Sequence, residues 1–201
     1  MATYVEIGAN DGVIEMNVPK ELDADNKVIL IEANPVSYEK CCQNRPDAMV
    51  FNYACVADSS NGFVEFYASL DPESNQSGKD HLATIGPSGS QEIVSVPARM
   101  MQEVLEEAEV DSVEFMSLDV EGAEAQILRG VDDDMIIEKL LVEVHHPNSF
   151  GQIQDPDTDE EIIAEAERLG MVVTQRQIIA PPNPGFTGKG REYIYFVRRV
   201  A

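Results

Sequence analysis

The chain has no tryptophan, three cysteines and only 14 basic residues in a length of 201. The cysteines, an adjacent pair at Cys41 and Cys42 and a third at Cys55, show neither the count of a disulfide framework nor the spacing of a zinc site. A reducing, cytoplasmic compartment is the expectation. No apolar run approaches the roughly 20 residues needed to span a bilayer, and the N-terminus has neither the basic stretch nor the apolar segment of a signal peptide. Membrane association is therefore not expected. The scarcity of lysine and arginine against 37 acidic residues leaves a formal charge of -23, which repels a phosphate backbone from most of the surface. Nucleic acid is not an expected partner. The acidity reads either as a solvated surface that keeps the chain soluble or as an adaptation to high salt.

What is present is a globular balance, with 43% hydrophobic and 25% charged residues, in a chain long enough for one buried core. One domain, 1–201, is the simplest reading. Short apolar runs rich in β-branched residues, at 4–8, 28–31, 49–54, 113–118 and 140–144, alternate with helix-like segments, which is a parallel α/β pattern. Asn34 and Pro35 supply an N-cap and a first helical proline, so a helix is expected over 36–43. Thr158 and Glu161 form a capping box for a second helix whose Ile162, Ile163, Ala166 and Leu169 share a face, and which stops at Gly170. Runs at 63–68 and 92–97 read as strands. The run at 192–197 pairs with 171–174 as an antiparallel hairpin at one edge of the sheet. Two irregular loops, 71–91 and 178–191, are long enough to suggest contact with a substrate.

In an open α/β sheet, ligands bind where strand ends meet the following turns. The first such turn is Gly8-Ala9-Asn10-Asp11-Gly12. Asn10 stands where a dinucleotide fingerprint requires glycine, there is no phosphate-binding Gly-x-x-x-x-Gly-Lys-Ser/Thr loop, and no basic residue lies near the turn. A diphosphate ligand is disfavoured. Glu32, twenty residues after Gly12 and at the end of the second strand, is placed to accept hydrogen bonds from both hydroxyls of a ribose. Glu6 and Asp119, at neighbouring strand ends, make a negative mouth suited to an amine and a sulfonium.

Three motifs in order, Val5-Glu6-Ile7-Gly8-Ala9-Asn10-Asp11-Gly12, Ile31-Glu32-Ala33-Asn34-Pro35 and Ser117-Leu118-Asp119-Val120-Glu121-Gly122-Ala123-Glu124, resemble the FkbM family of methyltransferases. The match continues through Ala57-Asp58, Gly62-Phe63-Val64-Glu65-Phe66-Tyr67, Leu128-Arg129-Gly130 and Leu141-Val142-Glu143-Val144-His145. The resemblance implies a Rossmann-like class I methyltransferase fold, a three-layer α/β/α arrangement on a seven-stranded, mostly parallel sheet with an antiparallel last strand. It also implies S-adenosylmethionine as methyl donor and a hydroxyl of a sugar, glycan or other small metabolite as acceptor. On this footing Glu6, Gly8, Asn10, Gly12, Glu32, Ala33, Asn34 and Asp119 are the expected cofactor residues. The chain departs from the family pattern in two ways. Ser117 stands where a lysine is usual, and the first strand begins almost directly at Tyr4, where the family has a preceding helix. That helix helps cover the cofactor, so a partner subunit, a loop or a more open site is expected to replace it, and a homo-oligomer fits.

An alcohol acceptor must lose a proton, and the candidate bases are Asp119, Glu121, His145 and His146. On extended backbone Asp119 and Glu121 point the same way, as do Glu143 and His145, while His146 points away or turns with Pro147. His145 is the preferred base because an imidazole near neutrality takes up a proton readily. Its alternative role is a hydrogen-bonded histidine at a strand end. Asp119, Glu121, Glu143 and His145 form an alternative site for a divalent metal, magnesium or manganese. The rival to an O-methyltransferase is a binding module that keeps the nucleoside pocket without catalysis.

Overall fold

The computed structural model describes residues 1–14, 16–19, 22, 24–71, 81–82, 92–145, 157–180 and 191–199. Its main sheet is built from β1 (Thr3–Ile7), β2 (Lys27–Ile31), β3 (Met49–Phe51), β8 (Ser112–Leu118), β9 (Ile136–His145), β10 (Met171–Ala180) and β11 (Arg191–Arg198). The order across it is β10-β11-β9-β8-β1-β2-β3. β1 pairs in parallel with β2 on one side and β8 on the other, and β11 runs antiparallel to both β9 and β10. The chain proceeds outward from β1 to β3 and then returns to the opposite flank of β1. The strand order therefore reverses at β1, and the crevice opens over the carboxyl ends of β1, β2 and β8.

Buried side chains cover both faces of the central strands. Val5, Ile7, Ile29, Ile31, Met116 and Leu118 pack against α2 (Met101–Glu107), α3 (Glu124–Arg129) and α4 (Asp159–Arg168). On the other face Val28 and Leu30 meet Val18 and the Cys41 side of α1 (Pro35–Asn44). A smaller sheet, ordered β4-β7-β5-β6 from β4 (Ala54–Cys55), β7 (Glu92–Arg99), β5 (Phe63–Ala68) and β6 (His81–Leu82), lies between β3 and α2 in the chain. Its buried Phe66, Ala68, Val96 and Ala98 pack with Ala54, Val56 and Ala123, which joins it to the turn before α3.

Some expected boundaries shift. The third strand, expected over 49–54, stops at Phe51, because Asn52 turns its side chain back to donate to the Glu32 and Ala33 carbonyls at 2.8 and 3.0 Å. β9 starts at Ile136 rather than Leu140: exposed Glu138 and Lys139 hide a strand that is nonetheless in register with β8. Among the described residues the crossover from β1 to β2 contains no helix, so this flank of the three-layer arrangement is thin. Also among the described residues, no helix is long and apolar enough to cross a membrane.

Candidate functional site

The first turn is held by backbone geometry. Gly8 has φ +85°, and its amide and that of Ala9 both donate to the Ile31 carbonyl, at 3.0 and 3.1 Å. A side chain at Gly8 would put its Cβ 1.8 Å from the Asp119 carbonyl oxygen, so β1 and the end of β8 approach as closely as they do only because position 8 is glycine. Asn10 adopts φ +49°, a left-handed conformation that asparagine tolerates better than most residues. Gly12, at φ +77°, packs against Cys41 and Arg45 of the α1 region and is remote from the crevice.

Glu32 follows β2, 7% exposed, with both carboxylate oxygens aimed by backbone donors. Oε2 accepts from the Asn10 amide and Oε1 from the Asn34 amide, each at 2.7 Å. Asn34 in turn caps α1: its Oδ1 accepts from Val36 and Ser37, and its Nδ2 donates to the Ser69 carbonyl. The first turn, the carboxylate and the start of α1 thus form one hydrogen-bonded unit.

After β8 the chain makes a tight turn through Glu121 at φ +56° and Gly122 at φ +103°. The Gly122 amide donates to Glu124 Oε1 at 3.0 Å, and its carbonyl accepts from Asp157 at 2.9 Å. Asp119 and Glu121 are therefore brought to the crevice by a turn rather than by the extended strand expected for them. A left-handed non-glycine residue is costly and is found where the surrounding structure enforces it, often at functional sites.

These pieces form a cavity open to solvent, lined by Ile7, Gly8, Asn10, Ile14, Ile31, Glu32, Ala33, Tyr53, Ala54, Cys55, Phe66, Asp119, Val120, Glu121, Ala123, Ile127 and Arg191. Much of the lining is apolar. Tyr53 stacks on Phe51 with ring centroids 5.6 Å apart, and the Arg99 guanidinium lies 5.2 Å from the centre of its ring. Burial pushes the Cys55 thiol up to about 12, so this thiol stays neutral. The polar part of the lining is Asn10, Glu32, Asp119, Glu121 and Arg191, and Arg191 Nη1 donates to the buried Glu143 at 2.9 Å. Burial first, and then the charges of Glu143 and Asp119, hold the neighbouring Tyr193 phenol well above its usual value.

Of the expected cofactor residues, Gly8, Asn10, Glu32, Ala33 and Asp119 line the cavity, and the expected base Glu121 joins them. Asn34 and Gly12 act from behind it. Glu6 requires a correction. The two-residue period of β1 turns it away from Val5 and Ile7, and its oxygens accept from the Asn17 and Val18 amides at 2.9 and 2.8 Å. Glu6 thus anchors the loop after the first turn and is absent from the cavity wall. Burial raises its carboxyl to about 7, against the lowering effect of those two amides. Ser117, in register beside it, is completely buried.

The backbone of His145 ends β9, while its side chain, like all of His146, lies outside the described residues, as do most of the two loops 71–91 and 178–191. Among the described residues no three histidine, cysteine, aspartate or glutamate side chains are placed to hold a metal. Glu143, one of the four expected for that role, faces a guanidinium instead. Reading of the residues missed Ile14, Tyr53, Phe66 and Arg191. Arg191 had a findable signal: it directly precedes the run 192–197 assigned to an antiparallel last strand, whose start must lie at the carboxyl edge of its parallel neighbours, although the sequence placed it in the loop 178–191.

The profile of the methyltransferase FkbM domain matches residues 6–173. No curated protein sequence matches the chain. Among solved structures, a SAM-dependent methyltransferase from Methanosarcina mazei aligns with a TM-score of 0.50 at 8% identity, over 99% of this chain and 93% of that one. A precorrin-6y C5,15-methyltransferase from Geobacter metallireducens gives 0.49 at 12% identity, over 99% and 80%. Magnesium protoporphyrin IX methyltransferase from Synechocystis PCC 6803, with bound SAH, gives 0.47 at 10% identity, over 98% and 73%. At 8% identity the likeness to the Methanosarcina mazei protein is one of fold alone.

Proposed function

Since the chain belongs to the FkbM family of methyltransferases, we propose that its cavity binds S-adenosylmethionine and that the protein methylates a hydroxyl group of a small metabolite, sugar or glycan. The observation that carries the cofactor reading is Glu32, a carboxylate fixed by two backbone amides at the end of β2 and facing the same cavity as the Gly8 turn. Such a group accepts from a vicinal diol, and its surroundings suit the rest of a nucleoside. Ile31, Ala33, Tyr53 and Phe66 offer an apolar wall for the base, and Asp119 and Glu121 supply negative charge to the same cavity. When bound, the cofactor supplies an electrophilic methyl carried on a sulfonium.

For the chain's own residues the task is then chiefly orientation, since in-line displacement depends on alignment of the two reacting atoms. The acceptor hydroxyl also needs a base, a contribution of roughly 10²–10⁴-fold. His145 at the end of β9 is our first candidate, and Asp119 and Glu121, which line the cavity, are the others.

The test is transfer of labelled methyl from S-adenosylmethionine to a panel of sugars and polyols. Wild type is expected to label at least one class of hydroxyl, and His145→Ala to lose about 10²-fold or more in kcat. Full activity in that variant removes His145 as the base. Cofactor binding with no transfer to any hydroxylated acceptor contradicts the proposed reaction.

A further inference from the structure

The glycine turn is not an anion cradle. Between Gly8 and Ile14, six amides are already engaged within the chain. Gly8 and Ala9 donate to Ile31, Asn10 to Glu32, Gly12 to Ala9, and Val13 and Ile14 to Asp11 Oδ1. The Asp119 amide is likewise engaged, by the Ile7 carbonyl. An amino-acid head group, however, brings a carboxylate as well as an ammonium, and a cavity walled by Glu32, Asp119 and Glu121 is electrostatically wrong for the carboxylate. Among the described residues one cation lines the cavity, Arg191.

Its position follows from the topology. β11 is antiparallel, so its first residue reaches the edge where β1, β2 and β8 end, opposite His145 in register. Glu143, one step further into the sheet and 3% exposed, accepts from Arg191 Nη1 at 2.9 Å and turns the guanidinium toward the crevice. Removing a carboxylate from water near the end of a buried strand is costly unless it is paired. Glu143 is paired with Arg191, which among the described residues carries positive charge to the cavity.

We propose that Arg191, positioned by Glu143, receives the methionyl carboxylate of the cofactor. The inference rests on the cofactor reading above and extends it to the amino-acid end. The charges on the wall then match those of the ligand: Asp119 and Glu121 face the ammonium and sulfonium, and Arg191 faces the carboxylate. A charge-assisted pair of this kind corresponds to roughly tenfold to a hundredfold in affinity.

The experiment is calorimetric titration, without acceptor, of S-adenosylmethionine and of its decarboxylated analogue, which keeps the adenosine, the sulfonium and the amine. Wild type is expected to bind S-adenosylmethionine at least roughly tenfold more tightly than the analogue. Arg191→Gln should bring the two affinities together by weakening only S-adenosylmethionine, while Arg191→Lys keeps part of the difference. Glu143→Gln should lower the ratio without equalising it, which a purely structural role for Glu143 would not do. Thermal unfolding of each variant establishes that it is folded. Equal affinities in wild type, an undiminished ratio in Arg191→Gln, or a parallel loss for both ligands in that variant overturns the assignment. Binding of neither ligand by wild type overturns the cofactor reading itself, and this assignment with it.

Discussion

A methyl group at position 8 has no room: its carbon would sit 1.8 Å from the Asp119 carbonyl oxygen, on backbone at φ +85°. Gly8→Ala should therefore cost about 2 kcal/mol or more in unfolding free energy and abolish cofactor binding, because relief requires β1 and β8 to part at the crevice. Glu6 makes a different prediction. Its carboxyl is raised from the usual 4.5 to about 7 in the folded chain, so the folded state holds this proton more tightly than the unfolded state does. The stabilisation is present in full below about 4.5 and is lost as pH rises through about 7, a change on the order of 3 kcal/mol. In Glu6→Gln this titration is gone. Denaturant unfolding across pH 4–8 should show the variant gaining on wild type as pH rises, and a pH-independent difference would contradict the burial argument. Glu6 also shows a limit of reading residues one by one. Alternation along β1 was visible in the sequence, but which face meets the cavity depends on how β8 and β2 flank it.

At the scale of elements, local chemistry was legible and pairing was less so. Asn34 and Pro35 start α1 at Pro35, close to its expected start, and Thr158 with Glu161 forms the expected capping box of α4. Gly170 follows α4 with φ +76°. These are short-range signals, each carried by a few consecutive residues. The early stop of β3 depends on Asn52 reaching back to Glu32 and Ala33, and the second sheet depends on pairing β5 with β7 across the intervening chain. Neither is written in a local pattern. Asn34→Ala should cost about 2 kcal/mol, since it removes the α1 cap and the link to Ser69. Thr158→Ala should cost about 1 kcal/mol. Urea unfolding distinguishes the two, and equal losses would contradict the role given to the Ser69 link. Arg191 belongs to this scale as well, because only the antiparallel course of β11 brings it to the cavity.

At the scale of the molecule, a formal charge of -23 on 201 residues opposes the compact state. Raising ionic strength from about 0.01 to about 0.1 M shortens the screening length from roughly 30 to roughly 10 Å. The midpoint of thermal unfolding should therefore rise over that range, and a flat or falling midpoint would mean that the charges are locally compensated. The same acidity narrows at the cavity to Glu32, Asp119 and Glu121 around an apolar wall, an environment for a cationic nucleoside. The most direct test of that claim is calorimetric titration of wild type and Glu32→Ala with S-adenosylmethionine. Wild type should show saturable binding at a single site, and a folded Glu32→Ala variant a loss of roughly tenfold to a hundredfold in affinity. Absence of binding in wild type, or equal affinity in the two proteins, would contradict it.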